Sequence, residues 1–224
     1  MLRFGPDDGP LVIAALPLFA EANRTRAFVV AVLRTLAGRG ISALLPDWPG
    51  TGESLIETRD ASLSAMREAY EALADRLGAD RPLYGVGIRS GCLLDGLALL
   101  HGRWHLSPQT GEVLLRELWR VREARDGTKR AYDLVDLTGG EGETLEIAGD
   151  LLSPDRMLAD LVGALPFTHA EGATRIVRLA GDARPADAYL SGPPLWRRAE
   201  PGNDPGLVQS VADDIAAWIE TCAG

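Results

Sequence analysis

Few side chains in this sequence can carry chemistry, and the most informative gather at one turn. In Gly87-Ile88-Arg89-Ser90-Gly91 a cation and a hydroxyl sit between two glycines, directly after the apolar run Pro82–Val86. Arg89 cannot serve as a nucleophile, because its guanidinium stays protonated in proteins. Its chemistry is that of anion recognition, by charge and a fork of N–H donors. Ser90 is the only nucleophile beside the turn, and Asp182 is placed downstream as a candidate acid. A general base is harder to find, since the three histidines are His101, His105 and His169 and none follows Asp182. Glu21 and Glu200 are carboxylates that the fold could bring to Arg89. Cys92 and Cys222 lie far apart, in no metal-ligand spacing, so no metal or cofactor is expected.

The elements that must position these residues alternate regularly over the first half of the chain. Leu11–Leu16, bounded by Pro10 and Pro17, reads as a strand buried on both faces. Phe28, Val29, Val32, Leu33 and Leu36 form one helical stripe that ends at Gly38 and Gly40. Ile41–Leu45 is a second strand, and Leu63, Met66, Tyr70, Leu73 and Leu77 form a second helical stripe. Pro82–Val86 is a third strand, with a helix expected over Cys92–Leu100 that turns Cys92 toward the core. Trp104–Leu106 reads as a fourth strand. This alternation implies a parallel sheet with right-handed crossovers. Regularity then breaks into a helix over 111–125 and a hairpin pairing Tyr132–Leu137 with Thr144–Ala148 around Gly139-Gly-Glu-Gly142. A short helix follows from Pro154 to Leu165. Residues 107–170 therefore read as a small cap inserted into a core made of 1–106 and 171–224. Thr174–Leu179 and Ala188–Leu190 resume the sheet, and Leu207, Val211, Ile215, Trp218 and Ile219 share a face of the last helix.

Three features together resemble the α/β hydrolases. The glycine-flanked elbow follows the third parallel strand. Asp47-Trp-Pro-Gly-Thr-Gly-Glu-Ser54 is similar to their Asp-x-x-Gly-x-Gly-x-Ser loop, and Pro17–Glu21 stands where they place an oxyanion-hole amide. The resemblance implies an α/β fold with a mostly parallel sheet of about six strands, flanking helices, a shortened N-terminus and a cap. In active members the elbow reads Gly-x-Ser-x-Gly, so Arg89 here stands at the nucleophile's place, and the triad histidine has no candidate after Asp182. More narrowly, Pro17-Leu-Phe-Ala-Glu-Ala-Asn-Arg24, the Gly-Ile-Arg-Ser-Gly elbow and Ser191-Gly-Pro-Pro-Leu-Trp196 resemble the second of two hydrolase-like families associated with exosortase A. That resemblance implies a link to bacterial exopolysaccharide production and protein sorting.

Arg89 then has three readings. It binds a ligand anion over a helix N-terminus, or it pairs with Glu21, Asp182 or Glu200 and fills a lost active site, or it lies idle on the surface. Catalysis through Ser90 would require the turn to shift by one residue, away from the oxyanion hole. His105 and His169 are expected near the cleft from the cap side, or as satisfied loop residues. Trp104 and Trp196 are expected as core or cleft aromatics, and Asp47 and Ser54 as turn-fixing groups. The net charge of −9 argues against nucleic acid and anionic membranes. The mixed charges of Arg116, Glu117, Arg120, Arg122, Glu123 and Arg125 read as a solvated helix face. No apolar run approaches the roughly 18 residues of a membrane span, and the N-terminus has no signal-like apolar core, so a cytoplasmic location is expected. The reading is of a pseudoenzyme that binds a small anionic or acyl ligand or a protein partner, through Arg89, Ser90, Phe19, Glu21 and Glu200. Its rivals are an esterase or thioesterase using Ser90 with a histidine from the cap, and a structural partner without a small ligand.

Overall fold

A computed structural model describes residues 1–127, 132–139, 144–168 and 174–223. Its centre is a seven-stranded sheet containing β1 (Leu2–Phe4), β2 (Leu11–Ala15), β3 (Ser42–Leu45), β4 (Leu83–Ile88), β5 (Gly102–Leu106), β8 (Thr174–Leu179) and β9 (Ala188–Leu190). The spatial order is β1-β3-β2-β4-β5-β8-β9, and every pairing is parallel except β1 with β3. The antiparallel edge strand β1 is the addition to the six expected, and at three residues too short to show a pattern. Strands β2, β3, β4 and β5 are buried along their whole length, as continuous apolar runs require of a sheet covered on both faces.

Helices α1 (Ala20–Ala37) and α6 (Pro205–Ala223) cover one face. Val12, Ala14, Tyr84, Val86 and Trp104 point to that side and meet Phe28, Leu33, Val211 and Ile215. The alternate residues Leu11, Ile13, Ala15 and Leu83 point to the other face. There they meet α2 (Leu63–Leu77), whose Ser62 side chain accepts a hydrogen bond from Ala65 N at the N-cap. Residues after β5 complete this face with α3 (Gly111–Asp126), α4 (Leu134–Thr138), the hairpin β6 (Leu145–Ile147) and β7 (Asp150–Leu152), and a helical turn from Pro154 that ends in α5 (Ala159–Leu161). No helix among the described residues is long and apolar enough to cross a membrane.

Two expected elements differ. Residues 92–100 do not form a helix, but two 3₁₀ turns, Arg89–Leu93 and Asp95–Leu97. The connection from Ile88 to Gly102 is close to the minimum of about 10–12 residues for a crossover. It is also pulled inward where buried Asp95 meets His105 and Arg103 of β5. The hairpin pairs Leu145–Ile147 with Asp150–Leu152 around Ala148-Gly149, while Leu134–Thr138 is helical, capped by Asp133. Gly149, with φ +90°, supplies the tight turn that Gly139 was expected to give. Residues 140–142 of that expected turn, and His169, lie outside the described residues.

The elbow keeps its backbone for steric reasons. A Cβ on Gly91 would come within 2.4 Å of Ala15 O and 2.5 Å of Leu16 O, and one on Gly87 within 2.9 Å of Cys92 Cα. Gly91→Ala should therefore lower stability well beyond the ~1 kcal/mol of an average substitution, read as a shift of the urea midpoint. A neutral result would mean that the elbow does not pack on the end of β2.

Candidate functional site

All parallel strands end at one edge of the sheet, and the loops that leave β2, β4, β5 and β8 meet there. Ala15 is paired with Gly87 in the β2–β4 ladder, which sets the Pro17–Glu21 loop directly beside the elbow. Among the described residues four non-glycines have positive φ, and three of them, Phe19 at 59°, Arg89 at 56° and Ser107 at 48°, follow β2, β4 and β5 at this edge. Left-handed backbone at side-chain-bearing residues costs of order 1–3 kcal/mol each, and here it is concentrated in one place. Arg89 is the residue that carries this strain in the turn after β4.

Arg89 is almost completely buried, and its guanidinium is gripped from both sides. Its Nε donates to Glu21 Oε2 and its Nη2 to Glu21 Oε1, both at 3.1 Å, a bidentate pair. Nη2 also donates to Glu117 Oε1 at 3.2 Å. The Trp196 ring lies 5.1 Å from the guanidinium carbon, within cation–π range. Glu21 belongs to the first turn of α1, where the helix N-terminus favours an anion. Burial nevertheless raises its carboxyl above the ordinary value, offset in part by the bonds and charge of Arg89, while the nearby Glu117 pushes the same way as burial. Glu117 is held in turn by Gln109 Nε2 at 2.6 Å. Of the three carboxylates anticipated for Arg89, Glu21 is the partner.

The others lie elsewhere. Glu200 is exposed and has no ion pair among the described residues. Asp182 is bound by Arg184 through Nη2 at 2.6 Å and Nε at 3.0 Å, and by Arg178 Nη1 at 3.3 Å. The Arg184 hydrogen bonds, with the charges of both arginines, hold its carboxyl far below the usual carboxylate range. The Ser90 hydroxyl is fully buried and accepts the Leu18 amide at 2.9 Å, which ties the Pro17–Glu21 loop to the elbow. No helix N-terminus stands behind Arg89, because the segment that follows is 3₁₀. An anion here has only side chains and loop amides to bind.

His105 is a β5 residue sealed beneath the sheet edge, with Nε2 2.8 Å from Asp95 Oδ2. Arg103 shares this buried cluster, 3.7 Å from Asp95 Oδ1, and packs on the Phe167 ring. Trp104 is core, its Nε1 bonded to Asp214. Ser54 fixes its loop by accepting from Gly50 N and Ile56 N, whereas Asp47 pairs with Arg26 at 3.4 Å.

Beside Arg89 is a cleft of about 370 Å³, lined by Arg89, Ser107, Asp182, Arg184, Trp196 and Arg197 among others. Glu117, Gln109, Arg178, Arg184 and Arg197 were not anticipated from the sequence. Glu117 was read within a solvated helix face. Its partner is 28 residues away on another element, and no local spacing signals that.

No family profile matches the chain, and no curated protein matches it. Solved structures do. A ferulic-acid-bound Est1E from Butyrivibrio proteoclasticus superposes with a TM-score of 0.55 at 17% identity, over 98% of this chain and 94% of that one. A thermophilic esterase from Thermogutta terrifontis gives 0.56 at 16% identity, over 99% and 92%. Mouse alpha/beta hydrolase domain-containing protein 10 gives 0.58 at 13%, over 98% and 93%. The chain has the α/β-hydrolase fold.

Asp182 offers a test of the rewired edge. Its folded-state value lies below its unfolded one, so its ionisation stabilises the fold above about pH 4, and that contribution fades as pH falls toward the folded value. Asp182→Asn should lower the urea midpoint at pH 7, with the gap to the parent narrowing below about pH 4. A gap independent of pH would separate these ion pairs from folding.

Proposed function

We propose that this protein does not hydrolyse esters, and that it binds a small anionic or acyl ligand at the cleft beside Arg89. The observation that carries the reading is the guanidinium at the nucleophile's position, tied to Glu21 and Glu117. A serine hydrolase needs a nucleophile, a base touching it and a free oxyanion hole. Here Ser90 is engaged by the Leu18 amide, Asp182 is committed to arginines, and His105 is sealed against Asp95.

The charge of the cleft supports an anion only modestly. Arg89 is already matched by two carboxylates, and Arg178 and Arg184 share Asp182. Arg197 has no acidic partner among the described residues, so it and Arg184 supply the attraction, with Trp196 and Leu179 as an apolar wall for a short acyl group. Residues 107–170 act as a cap in this reading, reaching the elbow through Glu117 and Gln109. The likeness of Pro17–Arg24 and of the arginine elbow to the exosortase A-associated family supports a cytoplasmic role beside that export and exopolysaccharide machinery, with the ligand or a partner protein as its input.

The purified protein should not be labelled by fluorophosphonate probes, and Arg89→Ser should not gain p-nitrophenyl ester turnover above background. Labelling abolished by Ser90→Ala would overturn this. A thermal-shift panel of short carboxylates and acyl phosphates at low salt should include a saturating stabiliser. A ligand at 100 times its Kd contributes about 2.7 kcal/mol, and the shift should vanish in Arg197→Ala. No response to any member would refute the anion reading.

A further inference from the structure

A second cleft, of about 520 Å³, shares no residue with the one at Arg89. It opens between the start of α1, the Gly50–Arg59 loop and the turn of the β6–β7 hairpin. Its floor is apolar, made by Leu18, Phe19, Met66 and Met157. The rim carries Ile56 at 46% and Leu151 at 42% exposure, and Leu55 beside it is fully exposed. Apolar side chains left in water next to a cavity of ligand size are the usual marks of a small-molecule site, and methionine adapts its shape to what enters.

One polar group distinguishes this cleft from a mere gap. Asp150 lines it from the first position of β7, half-buried, with no hydrogen bond or ion pair to its carboxylate among the described residues. The other charged residues on the wall, Glu57 and Arg59, pair with each other. A partly desolvated carboxylate without a countercharge is unfavourable in the empty protein. Burial accordingly pushes its carboxyl upward, and no cation opposes that push. An incoming ammonium would supply the missing charge while its hydrocarbon covers the floor. A carboxylate ligand would meet repulsion, and an alcohol would offer a hydrogen bond but no countercharge.

We infer that the cleft between α1, the Gly50–Arg59 loop and the β6–β7 turn is a binding site for a small primary amine bearing an alkyl or aryl body, with Asp150 receiving the ammonium. The site does not depend on the reading of the Arg89 cleft. The test is calorimetric titration of the intact protein at pH 7.5 with hexylamine, hexanol and hexanoate. Hexylamine should bind best of the three in this cleft, and Asp150→Asn should weaken it about tenfold while leaving hexanol unchanged. A thermal melt of Asp150→Asn at or above the parent value shows that the fold is intact, since the substitution removes an unpaired charge. Failure of hexylamine to bind at millimolar concentration, or equal affinity in Asp150→Asn, overturns the inference. Hexanoate binding that survives Asp150→Asn and is lost in Arg197→Ala belongs to the other cleft, so the two readings fail separately.

Discussion

One ion-pair cluster joins segments that the chain keeps far apart. Arg89 from the elbow, Glu21 from the start of α1, Glu117 from α3 and Trp196 from the loop after β9 all meet at a single guanidinium. A buried guanidinium is tolerated only when its charge and its donors are satisfied, because stripping it of water costs several kcal/mol. Glu21 meets that need with two parallel bonds, and Glu117 adds a third. Removing Glu21 would leave the buried guanidinium with Glu117 as its only carboxylate, and two of its donors without their acceptors, which is worse than removing Arg89 and Glu21 together. The edge where the strands end is thus fastened at Arg89.

Other polar groups near this edge also find partners inside the protein: the Leu18 amide donates to Ser90, Asp182 pairs with Arg184 and Arg178, and His105 lies against Asp95. The 3₁₀ crossover after β4 is tied to the last of these. Arg103 and His105 point from β5 into the face a helix would cover, and Asp95 comes in to meet them. Backbone strain at Phe19, Arg89 and Ser107 remains, held by Gly87, Gly91 and the packing of the elbow on β2.

The sequence was most readable where a residue's neighbours in space are set by strand order. Apolar runs marked β2, β3 and β4, and the order of loops along the edge was enough to bring Glu21 to Arg89, because β2 and β4 are adjacent. It was least readable where the partner is non-local and the local pattern is ordinary. Glu117 sits among the arginines of an amphipathic helix, and its inward turn depends on Arg89 and Gln109. Residues 92–100 carry apolar residues at helical spacing, yet a buried Asp95 and a short connection override that propensity. The hairpin was shifted because Gly139 and Gly149 are both turn-competent, and the choice between them is made by Leu152 and Ile147 reaching the core.

The claim that Arg89 and Glu21 act as one fastening unit is tested most directly by a double-mutant cycle. Urea unfolding of the parent, Arg89→Met, Glu21→Gln and the double variant gives the coupling energy. The structure predicts a coupling of about 1–3 kcal/mol, with Glu21→Gln less stable than the double variant, because it alone leaves the buried guanidinium with only Glu117 as a countercharge. Additive effects of the two substitutions would contradict the account.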